Sequence, residues 1–146
     1  MENNKEIITG ANKLSMKALR EKDRLEKEAA LKQLCEARAI ELLGSENELK
    51  LLSNANKGLW YLPICDSTDE NTIEVMAIMK PIDMAILSYA STKVEDEGIM
   101  EYFRACLVAC FLKGDEAILN DDNYTIPACF KIQKIIEGKK AYLLKR

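Results

Sequence analysis

Cysteine is the residue type in this chain with the widest chemistry, because a thiolate can act as a nucleophile or as a metal ligand. The five cysteines are Cys35, Cys65, Cys106, Cys110 and Cys129. Cys106 and Cys110 are four residues apart, a spacing that places two thiols on one face of a helix, where they could bind one metal ion. Both lie in an apolar run, however, and the chain has no Cys-x-x-Cys pair to complete a zinc site. We therefore predict that these two cysteines pack in the core and that all five are free thiols.

Two acidic segments contain the other candidate metal ligands. They span residues 66–70 and 115–122 and would offer carboxylates to a calcium ion. Neither segment has the mid-loop glycine and the terminal glutamate of an EF-hand loop. Roles in turns and helix caps account better for Asp115, Asp121 and Asp122. We therefore predict no metal site.

Sequence motifs for catalysis are missing as well. The chain has no histidine, which removes the commonest general base, the Ser-His and Cys-His nucleophile pairs and mixed Cys/His zinc sites. It also lacks the glycine-rich phosphate-binding motifs of Rossmann and P-loop proteins and the G-x-S-x-G motif of hydrolases. We predict a protein that is not an enzyme and that has no catalytic residues and no cofactor. An enzyme or a ligand-binding module of unknown substrate is kept as an alternative to a protein-binding function.

A long, highly charged helix is predicted for the N-terminal part of the chain. Residues 13–43 contain no glycine or proline and consist mainly of strong helix formers. Nine of the twelve residues between Lys17 and Glu28 are charged, and opposite charges recur at helical spacing. We therefore assign residues 1–44 to a charged N-terminal helix that ends at Gly44.

The apolar positions of this helix leave two interpretations open. In the first half of the helix they form a narrow stripe of Leu14, Ala18, Leu25 and Ala29. Farther along, a broader stripe consists of Ala30, Leu34, Ala37 and Ile40. A helix this polar has little apolar surface to bury against its own domain. It is either a solvated helix on the surface or a helix that binds a partner protein or a second copy of the chain. For the second interpretation, the candidate partner-binding residues are Leu14, Leu25 and Leu34.

The rest of the chain, residues 45–146, is predicted to form an α+β domain. Residues 59–65 have strand character with Pro63 at a sheet edge, and residues 73–80 alternate in side-chain character, so 59–80 should form a β-hairpin. The predicted fold class is therefore α+β, with a long N-terminal helix, one β-hairpin and then a bundle of about three helices.

These helices are predicted within residues 81–146. The sequence is apolar all round from 105 to 112, which predicts a central buried helix that continues to Gly114. The last helix is predicted to begin at Thr125. Residues 139–146 fit either a helix or a strand.

Trp60 and Tyr61 are an aromatic pair at the start of the hairpin. They fit the core face of the hairpin, where large aromatic side chains bury much apolar surface. They also fit an exposed anchor for a partner, because tryptophan and tyrosine are enriched in binding hot spots. Both residues therefore join the candidate partner-binding set.

The charges of the chain are unevenly distributed. Residues 61–126 carry 4 basic and 13 acidic groups, a net charge of −9, whereas residues 127–146 carry 6 basic groups and 1 acidic group, a net charge of +5. The two segments either complement each other within the molecule or mark two contact surfaces. An acidic middle repels nucleic acid, so we do not expect nucleic acid as a partner.

No membrane segment or secretory signal is predicted. The first six residues contain no apolar core of a signal peptide. The longest apolar run, at residues 105–112, is much shorter than the roughly 20 residues that cross a bilayer. We expect a soluble intracellular protein with no membrane partner.

One stretch of sequence is similar to a known class of proteins. Its segments are, in order, Met79-Lys80-Pro81, Ala85-Ile86-Leu87-Ser88-Tyr89-Ala90, Gly114-Asp115-Glu116-Ala117-Ile118, Asn120-Asp121-Asp122 and Gln133-Lys134-Ile135-Ile136. This order, within residues 73–136, resembles small proteins encoded among the tail genes of tailed bacteriophages and prophages, especially those of Bacteroides-type hosts. Those proteins are regarded as tail-assembly chaperone-like. The resemblance covers under half of the chain and brings no catalytic residues with it.

The resemblance implies a phage protein in the host cytoplasm that binds a long tail protein during virion assembly. Its function would then be protein binding alone. The alternative is a structural protein of the virion, in the capsid or the tail, which docks through its N-terminal helix. The two hypotheses differ in whether the protein is retained in the finished particle.

Overall fold

The structure of the protein, a computed structural model, describes the backbone of residues 2–138 and 141–146. Side chains are described for residues 15–69, 72–94, 97–138 and 141–146. The chain divides into two compact units, Met1–Glu36 and Ala37–Arg146. This division falls within the first helix, whereas the sequence interpretation ended its first domain at residue 44.

The fold class is α+β, as predicted. The elements are α1 (Glu2–Leu43), α2 (Glu46–Ala55), β1 (Trp60–Asp66), β2 (Asp69–Met79), α3 (Met84–Ser91), α4 (Val94–Glu97), α5 (Ile99–Cys110), β3 (Phe111–Gly114), α6 (Ala117–Asn120) and α7 (Asp122–Ile136). After the hairpin, α3, α5 and α7 are the three longer helices, and α4 and α6 are single turns.

Ion pairs along the surface stabilise the charged part of α1. Arg24 contacts Glu21 one turn before it and Glu28 one turn after it, the latter at 3.2 Å. Lys22 and Glu26 form a further pair at 4.0 Å. The hydrogen bond and the charge of Arg24 lower the pKa of the Glu21 carboxyl below its ordinary value of 4.5. Pairs of this kind support a helix that has few apolar contacts.

A three-stranded antiparallel sheet in the order β1-β2-β3 lies in the second unit. In the hairpin, Trp60 pairs with Met79 and Ile64 pairs with Val75. Residues 75–79 of β2 are all buried, so the central strand is covered on both faces. Such burial explains why this segment is an almost continuous apolar run.

The third strand corrects the prediction that the central helix continues to Gly114. Helix α5 ends at Cys110, and Phe111 already has an extended conformation with φ −64° and ψ 119°. The next residues pair with the end of β2, with Ala77 opposite Gly114. A short apolar run fits a helix and a strand equally well by its periodicity. Pairing with β2 decides between them.

The beginning of the last helix also differs from the prediction. Helix α7 begins at Asp122, because Asp121 caps it by accepting a hydrogen bond from the Asn123 N–H at 3.0 Å. Thr125, where we predicted the start, lies inside the helix and donates its hydroxyl to the Ile118 carbonyl at 2.6 Å. The cap residue precedes the apolar positions by more than one turn, which is why the apolar pattern alone placed the start too late.

The core of the second unit lies between the sheet and helices α3, α5, α6 and α7. Its fully buried members include Ala77, Cys106, Leu107, Ile118 and Ile132. Residues 141–146 form neither helix nor strand and are exposed, and residues 139 and 140 lie outside the described residues. In the part of the chain that the structure describes, no helix has the length and apolar character needed to span a bilayer.

Side chains close the free edge of β2 beyond the end of β3. Asp115 Oδ2 accepts a hydrogen bond from the Met76 N–H at 2.8 Å, and the Asp115 N–H donates to the Met76 carbonyl at 3.0 Å. Arg38 of α1 donates to the carbonyls of Ile73 at 3.0 Å and Glu74 at 3.4 Å. It also forms a 3.3 Å ion pair with Asp115. These groups take the place of a neighbouring strand and leave the edge closed to another chain.

Replacing Asp115 by alanine should therefore destabilise the fold by about 2–3 kcal/mol, because the variant leaves the buried Met76 N–H without an acceptor and Arg38 without its carboxylate. Urea unfolding followed by circular dichroism measures the loss. Glu116→Ala is the matched control, since Glu116 is exposed, and it should change the free energy of unfolding by less than about 0.5 kcal/mol. Equal losses for the two variants would contradict this role of Asp115.

Candidate functional site

The first unit, Met1–Glu36, is formed by α1, and its described side chains are largely exposed. Every residue from Ser15 to Ala30 is exposed. The exposed fraction is 54% for Met16, 58% for Leu19 and 53% for Leu25. About half of the surface of each of these apolar side chains is therefore left exposed and is available to another molecule.

Two of the predicted partner-binding residues lie on opposite sides of this helix. Leu25 and Leu34 are nine residues apart, which is about two and a half turns. Leu34 shares its side with Met16, because 18 residues make about five turns, and Leu19 lies about 60° around the helix from these two residues. The predicted set missed Met16 and Leu19, although their helical spacing to Leu34 was visible in the sequence. Leu14, also predicted, lies outside the residues whose side chains are described.

A second surface lies at the start of the hairpin, where Trp60 is 51% exposed. It is a narrow cleft of about 110 Å³, which we call the Trp60–Lys80 cleft. Its walls are formed by Trp60, Tyr61, Leu62, Met79, Lys80, Pro81, Ile82, Ile132 and Ile135. The lining is mostly apolar, and among the described residues that form it Lys80 is the one that carries a charge. Of the two predicted aromatic residues, Trp60 is exposed and Tyr61 is half-buried.

Three elements position the walls of the cleft. The hairpin register places Trp60 directly opposite Met79, so the first residue of β1 and the end of β2 face each other. The chain then leaves the sheet through Pro81. Ile132 and Ile135 come from α7, which packs beside β1. The cleft therefore joins residues more than 70 positions apart, and no local pattern in the sequence connects Ile132 and Ile135 with it.

Lys80 places a positive charge at this apolar cleft. Its backbone is fixed, since its N–H donates to the Cys110 carbonyl at 2.9 Å. Its side chain is half-buried. Among the described residues, no carboxylate oxygen lies within 4 Å of the Lys80 ammonium. A half-buried ammonium without an ion pair favours a negatively charged group from outside.

The cleft lies beside a strand that disfavours the addition of another strand. In the part of the chain that the structure describes, β1 lies at an edge of the sheet, since β2 is its single neighbour in the strand order. Pro63, in the middle of β1, has no N–H to donate to an added chain. A partner at this edge is therefore expected to insert a side chain rather than to extend the sheet.

The three cysteines of the core are poor nucleophiles. Cys106, Cys110 and Cys129 are buried, and burial raises the pKa of each thiol. The effect is largest for Cys110, whose pKa rises from 9.0 to about 11. In the described parts of the chain, no group of three or more cysteine, aspartate or glutamate side chains could hold a metal ion.

The pKa of Cys110 predicts a loss of stability at high pH. The folded state keeps the thiol proton up to about pH 11, whereas an unfolded chain loses it near pH 9, so folding binds a proton between these values. Stability is therefore complete below pH 9 and falls as the pH rises to 11, by about 2–3 kcal/mol for this thiol.

Urea unfolding at pH 8, 9, 10 and 11 tests this prediction. The variant Cys110→Ala, compared with the parent chain over the same series, isolates the thiol because it has no proton to lose. We expect its loss of stability above pH 9 to be smaller. Parallel pH profiles for the two chains would contradict the prediction.

The acidic segments have structural roles in the parts described. Asp66 accepts hydrogen bonds from the Thr68 N–H and hydroxyl, both at 2.9 Å, and these bonds lower the pKa of its carboxyl. Asp121 caps α7, and Asp115 closes the edge of β2. Turn and cap roles were the sequence interpretation for Asp115 and Asp121. Asp121 is a helix cap, whereas the Asp115 side chain instead binds the Met76 N–H of β2 and Arg38.

No protein-family model matches the chain, and neither a curated protein nor a solved structure matches it. The resemblance of residues 73–136 to phage tail-assembly proteins therefore stays a prediction.

Proposed function

We propose that this is a non-enzymatic protein-binding protein that acts as a tail-assembly chaperone of a phage. In this proposal it binds a long tail protein in the host cytoplasm through α1. One observation carries the proposal: every residue of α1 from Ser15 to Ala30 is exposed. The choice of a tail protein as partner comes from the resemblance of residues 73–136.

The energetics of the helix favour a binding role. Burying a leucine or methionine side chain completely is worth about 1.5–3 kcal/mol, and the exposed Met16, Leu19 and Leu34 provide three such side chains on one side of α1. The ion pairs around Arg24 keep the segment helical before it binds. A partner therefore meets a formed helix and does not pay the entropy of ordering it.

The first test compares purified particles with the soluble lysate of the producing cells. The protein is tagged, and its copy number in each fraction is measured by quantitative mass spectrometry. A chaperone is absent from particles and captures a long tail protein from the lysate. A fixed copy number in particles would instead make it a structural virion protein, and no partner in either fraction would contradict both hypotheses.

The second test examines whether α1 is the binding element. We expect Leu19→Gln combined with Leu34→Gln to abolish capture of the tail protein, because the variant removes two of the three exposed apolar side chains on this side of α1. Lys32→Gln is the control, since it changes an exposed residue of the same helix without removing apolar surface. Capture by the double variant at the level of the control would assign binding to another surface.

A further inference from the structure

We propose that the Trp60–Lys80 cleft is a second docking site, which binds one apolar side chain flanked by a carboxylate from an acidic segment of a partner protein. The site lies outside α1 and goes beyond the function proposed for that helix. Three observations carry the inference: the size of the cleft, its lining and the charge of Lys80.

The size of the cleft fits a single side chain. Its volume is about 110 Å³, whereas sites for small molecules and cofactors usually enclose about 300–1,000 Å³. A pocket that holds one anchoring side chain is typical of the centre of a protein–protein interface. Pro63 argues in the same direction, because it disfavours a partner that would pair along β1.

The lining of the cleft fits an apolar anchor. Ile135 provides an accessible aliphatic wall, whereas Ile132 and Met79, at 0% and 3% exposed, line the buried inner side of the cleft. Trp60 is half-exposed at this cleft, and tryptophan is among the residue types enriched in hot spots. An inserted leucine, methionine or phenylalanine would cover the exposed part of its ring.

The charge of Lys80 specifies what must flank the anchor. An apolar partner alone would remove water from the ammonium and leave it without a counter-ion, which opposes binding. A carboxylate next to the anchor replaces that water with an ion pair, whereas a basic partner is repelled. The occupant is therefore an acidic segment that carries an apolar residue.

Intrinsic fluorescence tests the proposal on the full chain, because Trp60 is its only tryptophan. The probes are two blocked peptides, acetyl-Glu-Leu-Leu-Glu-amide and acetyl-Lys-Leu-Leu-Lys-amide, and hexanoate as a small apolar acid. We expect the glutamate peptide to shift the emission of Trp60 and to bind at least about tenfold more tightly than the lysine peptide, a difference of about 1.4 kcal/mol. Hexanoate should bind much more weakly than the glutamate peptide.

Two variants assign the preference to the cleft. Lys80→Glu should reverse the order of the two peptides, whereas Lys93→Glu makes the same change of charge in a different groove, lined by Tyr89 and Glu97 among others, and should leave the order unchanged. Lys80→Gln should reduce the preference without reversing it, and it guards against a glutamate variant that does not fold.

Three results would overturn the proposal. They are equal affinity for the two peptides in the parent chain, an unchanged preference in the Lys80 variants, and binding of hexanoate as tight as that of the glutamate peptide, which would indicate a small-molecule site. None of these results bears on α1. Conversely, if the α1 double variant still captured the tail protein, the function proposed for α1 would be contradicted, but the peptide preference expected for the cleft would not change.

Discussion

Gly114→Ala should destabilise the protein by about 3–5 kcal/mol, although the substitution only adds a methyl group and removes no side-chain contact. Gly114 has a φ of +141°, a conformation that residues with a side chain rarely adopt. A Cβ atom there would overlap the Met76 carbonyl oxygen and lie 2.9 Å from the Ala77 Cα. Both are backbone atoms of the buried central strand, so neither can move aside cheaply.

The contacts of the neighbouring residue increase this effect. Asp115 follows directly and forms two hydrogen bonds with the backbone of Met76. A displacement of β3 that relieved the overlap at residue 114 would lengthen both bonds. The variant therefore loses strand pairing and the closed edge of β2 together.

Gly58→Ala is the matched control for Gly114→Ala. Gly58 also has a positive φ, +114°, but a Cβ atom there would meet nothing within 4 Å. Its replacement should cost about 1–2 kcal/mol, which is the backbone strain without the overlap. Urea unfolding of the two variants separates the two contributions. A loss for Gly114→Ala no larger than that for Gly58→Ala would show that β3 does not lie this close to β2.

Phe103→Ala is the second large effect and should cost about 3–5 kcal/mol. The Phe103 side chain is 7% exposed and belongs to the core between the sheet and the helices. Its ring also makes an edge-to-face contact with Tyr102, with 5.5 Å between the ring centroids. Truncation removes this contact and leaves a cavity that the close-packed neighbours fill only in part.

Val108→Ala, in the same helix, controls for changes in helix propensity. Val108 is 49% exposed, so its truncation should change the free energy of unfolding by less than about 0.5 kcal/mol. Thermal or urea unfolding followed by circular dichroism compares the two variants. A loss below about 1 kcal/mol for Phe103→Ala would show that the buried face of α5 is assigned wrongly.

The two proposed binding surfaces differ in how far the sequence pointed to them. The charge pattern and the narrow apolar stripes indicated that α1 has little to bury on its own, and Leu25 and Leu34 were named from them. The structure adds Met16 and Leu19 and places Leu25 on the opposite side from Leu34. Trp60 and Tyr61 were named for their aromatic character, but Lys80, Ile132 and Ile135 were not connected with them.

The sequence by itself determined the elements whose cause is local. A stretch without glycine or proline, rich in strong helix formers and in paired charges, is helical wherever it is placed, and α1 follows from it. The alternation and the turn residues between 59 and 80 produce the hairpin. The periodicity of residues 99–110 assigns Phe103 and Cys106 to one buried face of α5.

The tertiary structure decided everything that depends on residues far apart in the chain. Phe111–Gly114 becomes a strand because the end of β2 offers it a partner, and Asp115 reaches Met76 and Arg38 for the same reason. The Trp60–Lys80 cleft exists because α7 packs beside β1. Propensity and periodicity report on neighbours within a few residues, whereas these contacts join residues 32 or more positions apart, and the free energy of packing selects them only in the folded chain.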